Sequence, residues 1–114
     1  MLPAQYRLRK DQEIGKVFKK GRSVYSQFLG LRILPNNLKN SRFCFVVSNK
    51  ISKKSSKRNL LKRRLRAIIH SNLAKIKGNY DIIILVKPDK AVLEKKYLEL
   101  TENLLNLLKK ARLF

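Results

Sequence analysis

Apolar residues recur along the chain with two spacings. In "KDQEIGKVFKKG" (residues 10–21), Ile14, Val17 and Phe18 fall at i, i+3 and i+4, which predicts one face of a helix. Asp11 can cap its start and Gly21 can stop it. In "YSQFLGLRILP" (25–35) the period drops to two. Leu29, Leu31 and Ile33 share one side of a strand, Phe28, Gly30, Arg32 and Leu34 share the other, and Pro35 ends it. The turn-rich "NNLKNS" (36–41) leads to "RFCFVVS" (42–48), apolar on both sides and therefore expected to be a central strand. The connection is short enough for a hairpin. "NKISKKSS" (49–56) reads as a basic loop with room for a very short strand at 50–52. A long helix follows, capped by Ser55 or Ser56 and running to about Lys77, where Gly78-Asn79 closes it. "YDIIILVKP" (80–88) is a β-branched run ended by Pro88 and predicts a buried strand. From about Lys90 to Arg112, residues Tyr97, Leu100, Leu104, Leu105, Leu108 and Ala111 make the apolar stripe of a last helix.

The resulting order, α-β-β-(β)-α-β-α, predicts an α+β fold: an α/β sandwich in which a small mixed sheet is covered by helices. At 114 residues and 44% hydrophobic content, residues 1–114 are expected to form a single domain with its own core. Charge narrows the picture further. Twenty-eight Lys and Arg face seven acids, a formal net charge of +21. A compact domain carrying that charge repels itself unless a polyanion offsets it. Nucleic acid is the first candidate partner and an anionic membrane surface the second. No apolar stretch approaches the ~18–20 residues that span a bilayer, and "MLPAQYRLRKDQE" has no signal-type apolar core. The one cysteine, Cys44, reads as a small buried hydrophobe in a reducing, cytoplasmic setting.

The basic residues of "SKRNLLKRRLRAIIH" (56–70) are not smeared around their helix. At about 100° per residue, Leu61, Leu65, Ile68, Ile69 and Ile76 cluster on one side, and Lys62, Arg66, Asn59 and Arg63 follow within an adjacent arc of about 100°. Arg64 points away from that stripe and is expected to be an ordinary solvated charge. Arginine forks and lysine point charges suit phosphates. Asn59 can both donate and accept, which suits a base edge or a 2′-hydroxyl. Lys53, Lys54 and Lys57 extend the cationic surface around the helix start, the positive pole of its dipole. An ordinary solvated face would interleave acids, yet none occurs between Glu13 and Asp81.

"KRNLLKRRLR" resembles the Arg-Asn-Arg box of the bacterial ribonuclease P protein family, whose pattern is Arg-Asn-Arg-x-Lys-Arg-x-x-Arg. Arg58, Asn59, Lys62, Arg63 and Arg66 match in place. The opening "DQEIGKVFKKGRSVYS" resembles the family's first helix, with Phe18 and Gly21 in register, and "YDIIILVKP" its late buried strand. Leu60 departs from the third box position and Ala67 replaces a frequent acid. The resemblance implies a protein that binds the catalytic RNase P RNA and precursor tRNA, whose 5′ leader the holoenzyme removes. It implies RNA contacts at Arg58, Asn59, Lys62, Arg63 and Arg66, aided by Lys53 and Lys54. It also implies a leader cleft that includes Phe18 and Arg32.

The chain itself holds no expected catalytic or metal site. Metal-assisted phosphodiester hydrolysis needs converging acids, and the seven acids are scattered along the chain. His70 lies alone on the polar side of its helix, so no pair supports acid–base cleavage. This agrees with what the resemblance implies, that hydrolysis belongs to the RNA subunit, with Mg2+ held mainly by that RNA and the substrate. A ribosomal or RNA-chaperone protein is the alternative. DNA is not an expected partner, because a repressor needs a compact helix-turn-helix. Nor is a membrane, because the apolar face of residues 57–76 is needed for the core.

Overall fold

A computed structural model describes residues 2–114, apart from the side chain of Lys90. Helix α1 (Asp11–Lys20) is followed by strands β1 (Arg22–Tyr25), β2 (Leu29–Pro35) and β3 (Arg42–Val47). Then come helix α2 (Ser55–Ser71), strand β4 (Tyr80–Val86) and helix α3 (Tyr97–Lys110). The strands form one mixed sheet in the order β1-β2-β4-β3, parallel only between β3 and β4. The expected α+β sandwich is present, but two features of its sheet differ from the sequence reading.

The stretch 25–35 is not one strand. The Ser26 amide donates to the Leu29 carbonyl at 2.8 Å, and the Ser26 hydroxyl accepts from the Leu29 amide at 3.3 Å. That turn separates β2 from β1, which pairs back on it. Most of β1 is exposed, so it shows no alternation to read. The extra strand lies there and not at 50–52, where the Ile51 amide donates to the Ser48 carbonyl at 3.1 Å and the Ile51 side chain is buried in a turn. Phe28 belongs to the same turn and packs into the helix-covered core, so it does not share a face with Arg32.

The expected hairpin between 25–35 and 42–48 does not form. Strand β4, almost wholly buried, takes the centre between β2 and β3. Strand β3 is outermost, and its apolar residues are covered differently. The N-terminal segment runs beside its free edge, with the Leu8 amide donating to the Phe43 carbonyl at 2.9 Å and Arg7 bridged to Phe43.

Helix ends also shift. Helix α2 stops at Ser71, because the Asn72 side chain donates to the Ile68 carbonyl at 2.7 Å and the chain tightens into a 3₁₀ turn at Leu73–Lys75. Residues 90–94 form a 3₁₀ turn rather than the start of α3, and Asp89 accepts from the Ala91 amide at 2.9 Å. Asp11 lies inside the first turn of α1 with Glu13, where negative charge favours the helix dipole, and makes no cap bond.

The two sheet faces are unequal. On one, Leu61, Leu65, Ile68 and Ile69 of α2 and Leu100, Leu104, Leu107 and Leu108 of α3 pack over Leu29, Leu31, Ile33, Phe43, Ile82 and Ile84. On the other, α1 and Leu8 of the N-terminal segment supply the cover, with Val17 and Leu8 packed with Ile83 among Ile14 and Leu34. Gly21 permits this docking, since a Cβ there would stand 2.5 Å from the Val17 carbonyl oxygen and 3.0 Å from that of Ile33. A ten-residue helix is only ~15 Å long, so part of this face stays uncovered.

Candidate nucleic-acid interface

Helix α2 presents the expected stripe. Lys62 and Arg66 are half-buried beside the core face, and Asn59, Arg63 and His70 are exposed beyond them. Arg64 is half-buried rather than fully solvated, because it flanks the opposite border of the buried face. The stripe looks out past the free edge of β3. Across that edge stand Arg7 and Arg9, fifty residues away in sequence, and with Lys62 and Arg66 they line a cleft of about 310 Å3 floored by Phe43, Cys44 and Phe45. Burial pushes the Cys44 thiol up, and the nearby Lys62 charge draws it partly back. Among the described residues, the ion pairs are Arg42 with Glu13, Arg42 with Asp81, and Lys95 with Glu99, so none involves the stripe.

Arg58 behaves differently from its neighbours in the box. On the helical wheel it lies within the buried sector, one turn before the core begins, and its Nη1 donates to the Ser52 carbonyl at 2.7 Å. It ties the basic loop to the first turn of α2. Lys53 and Lys54 are exposed on that loop, and the Ser52 hydroxyl accepts the Lys54 amide at 3.1 Å. Leu60 is 41% exposed, on the side of α2 away from the stripe.

A second surface lies on the sheet face that α1 leaves open. Strand register puts Ser23, Arg32, Ile83 and Cys44 in one row and Tyr25, Gly30, Leu85 and Val46 in the next. The Arg32 guanidinium donates to the Phe18 carbonyl and to the Ser23 hydroxyl. The two residues expected in a leader cleft are thus joined, with Arg32 partly engaged in holding the last turn of α1. The Phe18 side chain remains 41% exposed. The Tyr25 ring lies against Gly30, where a Cβ would come within 2.7 Å of it, and Lys87 Nζ stands 5.2 Å from the ring centroid. This gives a shallow groove of aromatic rings, aliphatic floor and cations. Arg32 and Cys44 are two strands apart, about 10 Å at ordinary strand spacing, so the groove and the α2 stripe border each other across β3.

The groove is closed at its other end by an ion network. Arg42 donates from Nε and Nη2 to Asp81 at 2.8 and 2.7 Å, and from Nη2 to Glu13 at 2.9 Å. The Asn36 amide donates to Asp81 at 2.7 Å. The hydrogen bonds to Asp81 hold the Arg42 proton more tightly than usual. Glu13 and Asp81, the acids nearest the groove, are both engaged by Arg42. Among the described residues, no group of three or more His, Cys, Asp or Glu converges. No helix among them is long and apolar enough to cross a membrane.

Sequence reasoning missed Tyr25, Lys87, Arg7 and Arg9. For Arg7 and Arg9 the one local signal is their alternation around Leu8 in "RLR", the mark of an extended segment with one buried side. Nothing in the sequence says that this segment lies against β3.

Known proteins carry the same fold and sequence pattern. The chain is 38% identical over 113 residues to the ribonuclease P protein component of Pseudanabaena sp., with 98% of this chain and 96% of that one covered. The RNase P protein of Thermotoga maritima superposes with a TM-score of 0.82 at 31% identity, covering 91% of this chain and 96% of that one. A mutant of the Staphylococcus aureus RNase P protein superposes with a TM-score of 0.88 at 26% identity, covering 96% and 91%. The Ribonuclease P family model matches residues 2–112. The chain belongs to the ribonuclease P protein family.

Proposed function

We propose that this chain is the protein subunit of a ribonuclease P holoenzyme. It binds the catalytic RNA through the α2 stripe of Asn59, Lys62, Arg63 and Arg66. The loop cations Lys53 and Lys54 and the loop-ordering Arg58 support that contact. It binds the single-stranded 5′ leader of precursor tRNA in the groove that holds Phe18, Arg32 and Tyr25. The observation that carries this reading is the meeting of two unlike surfaces across the β3 edge. One is cationic, suited to a folded RNA backbone. The other is aromatic and grooved, suited to stacked single-stranded bases.

The protein's residues bind and screen; they do not hydrolyse. Phosphate screening by the +21 chain lowers the magnesium concentration that the RNA needs to fold and react. Any Mg2+ in the reaction is held mainly by RNA and substrate, a reading supported by the lack of a converging carboxylate cluster among the described residues.

The test is 5′-leader removal from a precursor tRNA by a bacterial RNase P RNA at low magnesium, with and without the protein. Cleavage should require both components, and the protein alone should be inert. Gly30→Ala, which displaces the Tyr25 ring, should raise KM for substrates with a long leader and leave affinity for the RNA subunit unchanged. Tight RNA binding without any stimulation of cleavage would point instead to a ribosomal or chaperone role.

A further inference from the structure

The cleft between the N-terminal segment and α2 differs from the rest of the basic surface. Arg63 stands on open surface, and Lys53 and Lys54 line a hollow that has no aromatic side chain, whereas Arg7, Arg9, Lys62 and Arg66 surround one that holds Phe43 and Phe45. Among the described residues the N-terminal segment bridges β3 at Phe43 alone, which leaves the edge beyond open as far as α2. The volume of the cleft, about 310 Å3, lies at the low end of the roughly 300–1,000 Å3 typical of small-ligand pockets. No acid lines it. Arg7 is oriented by its Nε, which donates to the Leu2 carbonyl at 2.6 Å.

An aromatic floor ringed by cations suits a flat ring joined to a phosphate. A bare phosphate has no use for the floor, and the stacked, paired bases of a duplex cannot reach it. We propose that this cleft holds one unstacked nucleotide, its base against Phe45 and its phosphate on Arg7, Arg9, Lys62 and Arg66. The proposal rests on the RNA-binding reading above and specifies a contact within it. A nucleotide extruded from the partner RNA and a free nucleotide share this chemistry, and the test separates them.

Cys44, the chain's one cysteine, lines the cleft where it borders the groove, so its alkylation reports occupancy of either, and loss of protection in Arg9→Gln, which lines the cleft and not the groove, assigns it to the cleft. The intact protein is treated with iodoacetamide alone and with RNase P RNA, an RNA duplex, AMP or inorganic phosphate. RNase P RNA at about ten times its Kd should slow alkylation about tenfold, as mass action requires for a filled site. The duplex and phosphate should not slow it. Protection by the RNA alone assigns the occupant to an extruded nucleotide, and protection by AMP as well admits free nucleotides. Arg9→Gln, on an exposed position, should weaken the protection with no change in melting temperature. Unchanged alkylation while RNA is demonstrably bound would overturn the proposal. So would equal protection by duplex or by phosphate. Failure of the parent reading shows separately, as absent leader cleavage.

Discussion

Arg42 reaches two carboxylates at once, and they are not equivalent. The Asp81 side chain is 8% exposed and the Glu13 side chain 36%. Removing the guanidinium strands a buried charge on the central strand, whereas removing Glu13 loses a contact that water can replace. Arg42→Ala is therefore expected to cost about 3 kcal/mol of unfolding free energy. Glu13→Gln should cost no more than about 1 kcal/mol. Urea denaturation measures both, and equal losses would show that the network is not anchored on Asp81. Because Asp81 holds the Arg42 proton above its ordinary range, the guanidinium stays charged throughout any working pH. At this scale the sequence was readable where a residue's role follows from its helical angle, as for Lys62 or Arg63. It was not readable for Arg42, whose partners come from two other elements.

Helix α2 was the most legible element, since its stripe follows from periodicity and from missing acids. Its box residues nonetheless divide into two groups. Arg63→Ala with Arg66→Ala should weaken RNA binding and reduce the log–log salt slope by about 0.9 per lost phosphate contact. Arg58→Ala should instead loosen amide-exchange protection across residues 49–55, because its Ser52 bond holds that loop. Filter binding across a salt series and hydrogen exchange check the two halves. An unchanged slope in the double variant would remove those residues from the RNA surface. Strand neighbours were the least legible feature. Period-two alternation reports which face a side chain occupies, but not which strand lies alongside. β4 displaced the expected hairpin for that reason, and the exposed β1 gave no pattern at all.

The whole molecule carries +21 over a fold whose longest axis is 37 Å. At low ionic strength its cations repel across distances comparable to the Debye length, ~10 Å at 0.1 M. Raising salt from about 0.05 to 0.5 M should therefore stabilise the free protein by about 1 kcal/mol, or ~4–8 °C in Tm. The same change should weaken its RNA complex. A Tm that falls with salt would mean that attractive pairs, not repulsion, dominate the surface.

The central position of β4 also sets the order in which the chain can fold. Strands β1, β2 and β3 are all made by residue 47, yet the sheet has no middle until residues 80–86 are available. A growing chain must therefore hold β2 and β3 apart, their inner edges unpaired, while the basic helix between β3 and β4 is being synthesised. At ~5–20 residues per second, that interval lasts several seconds. During it, the α2 cations are exposed on an unfinished scaffold surrounded by ribosomal and messenger RNA.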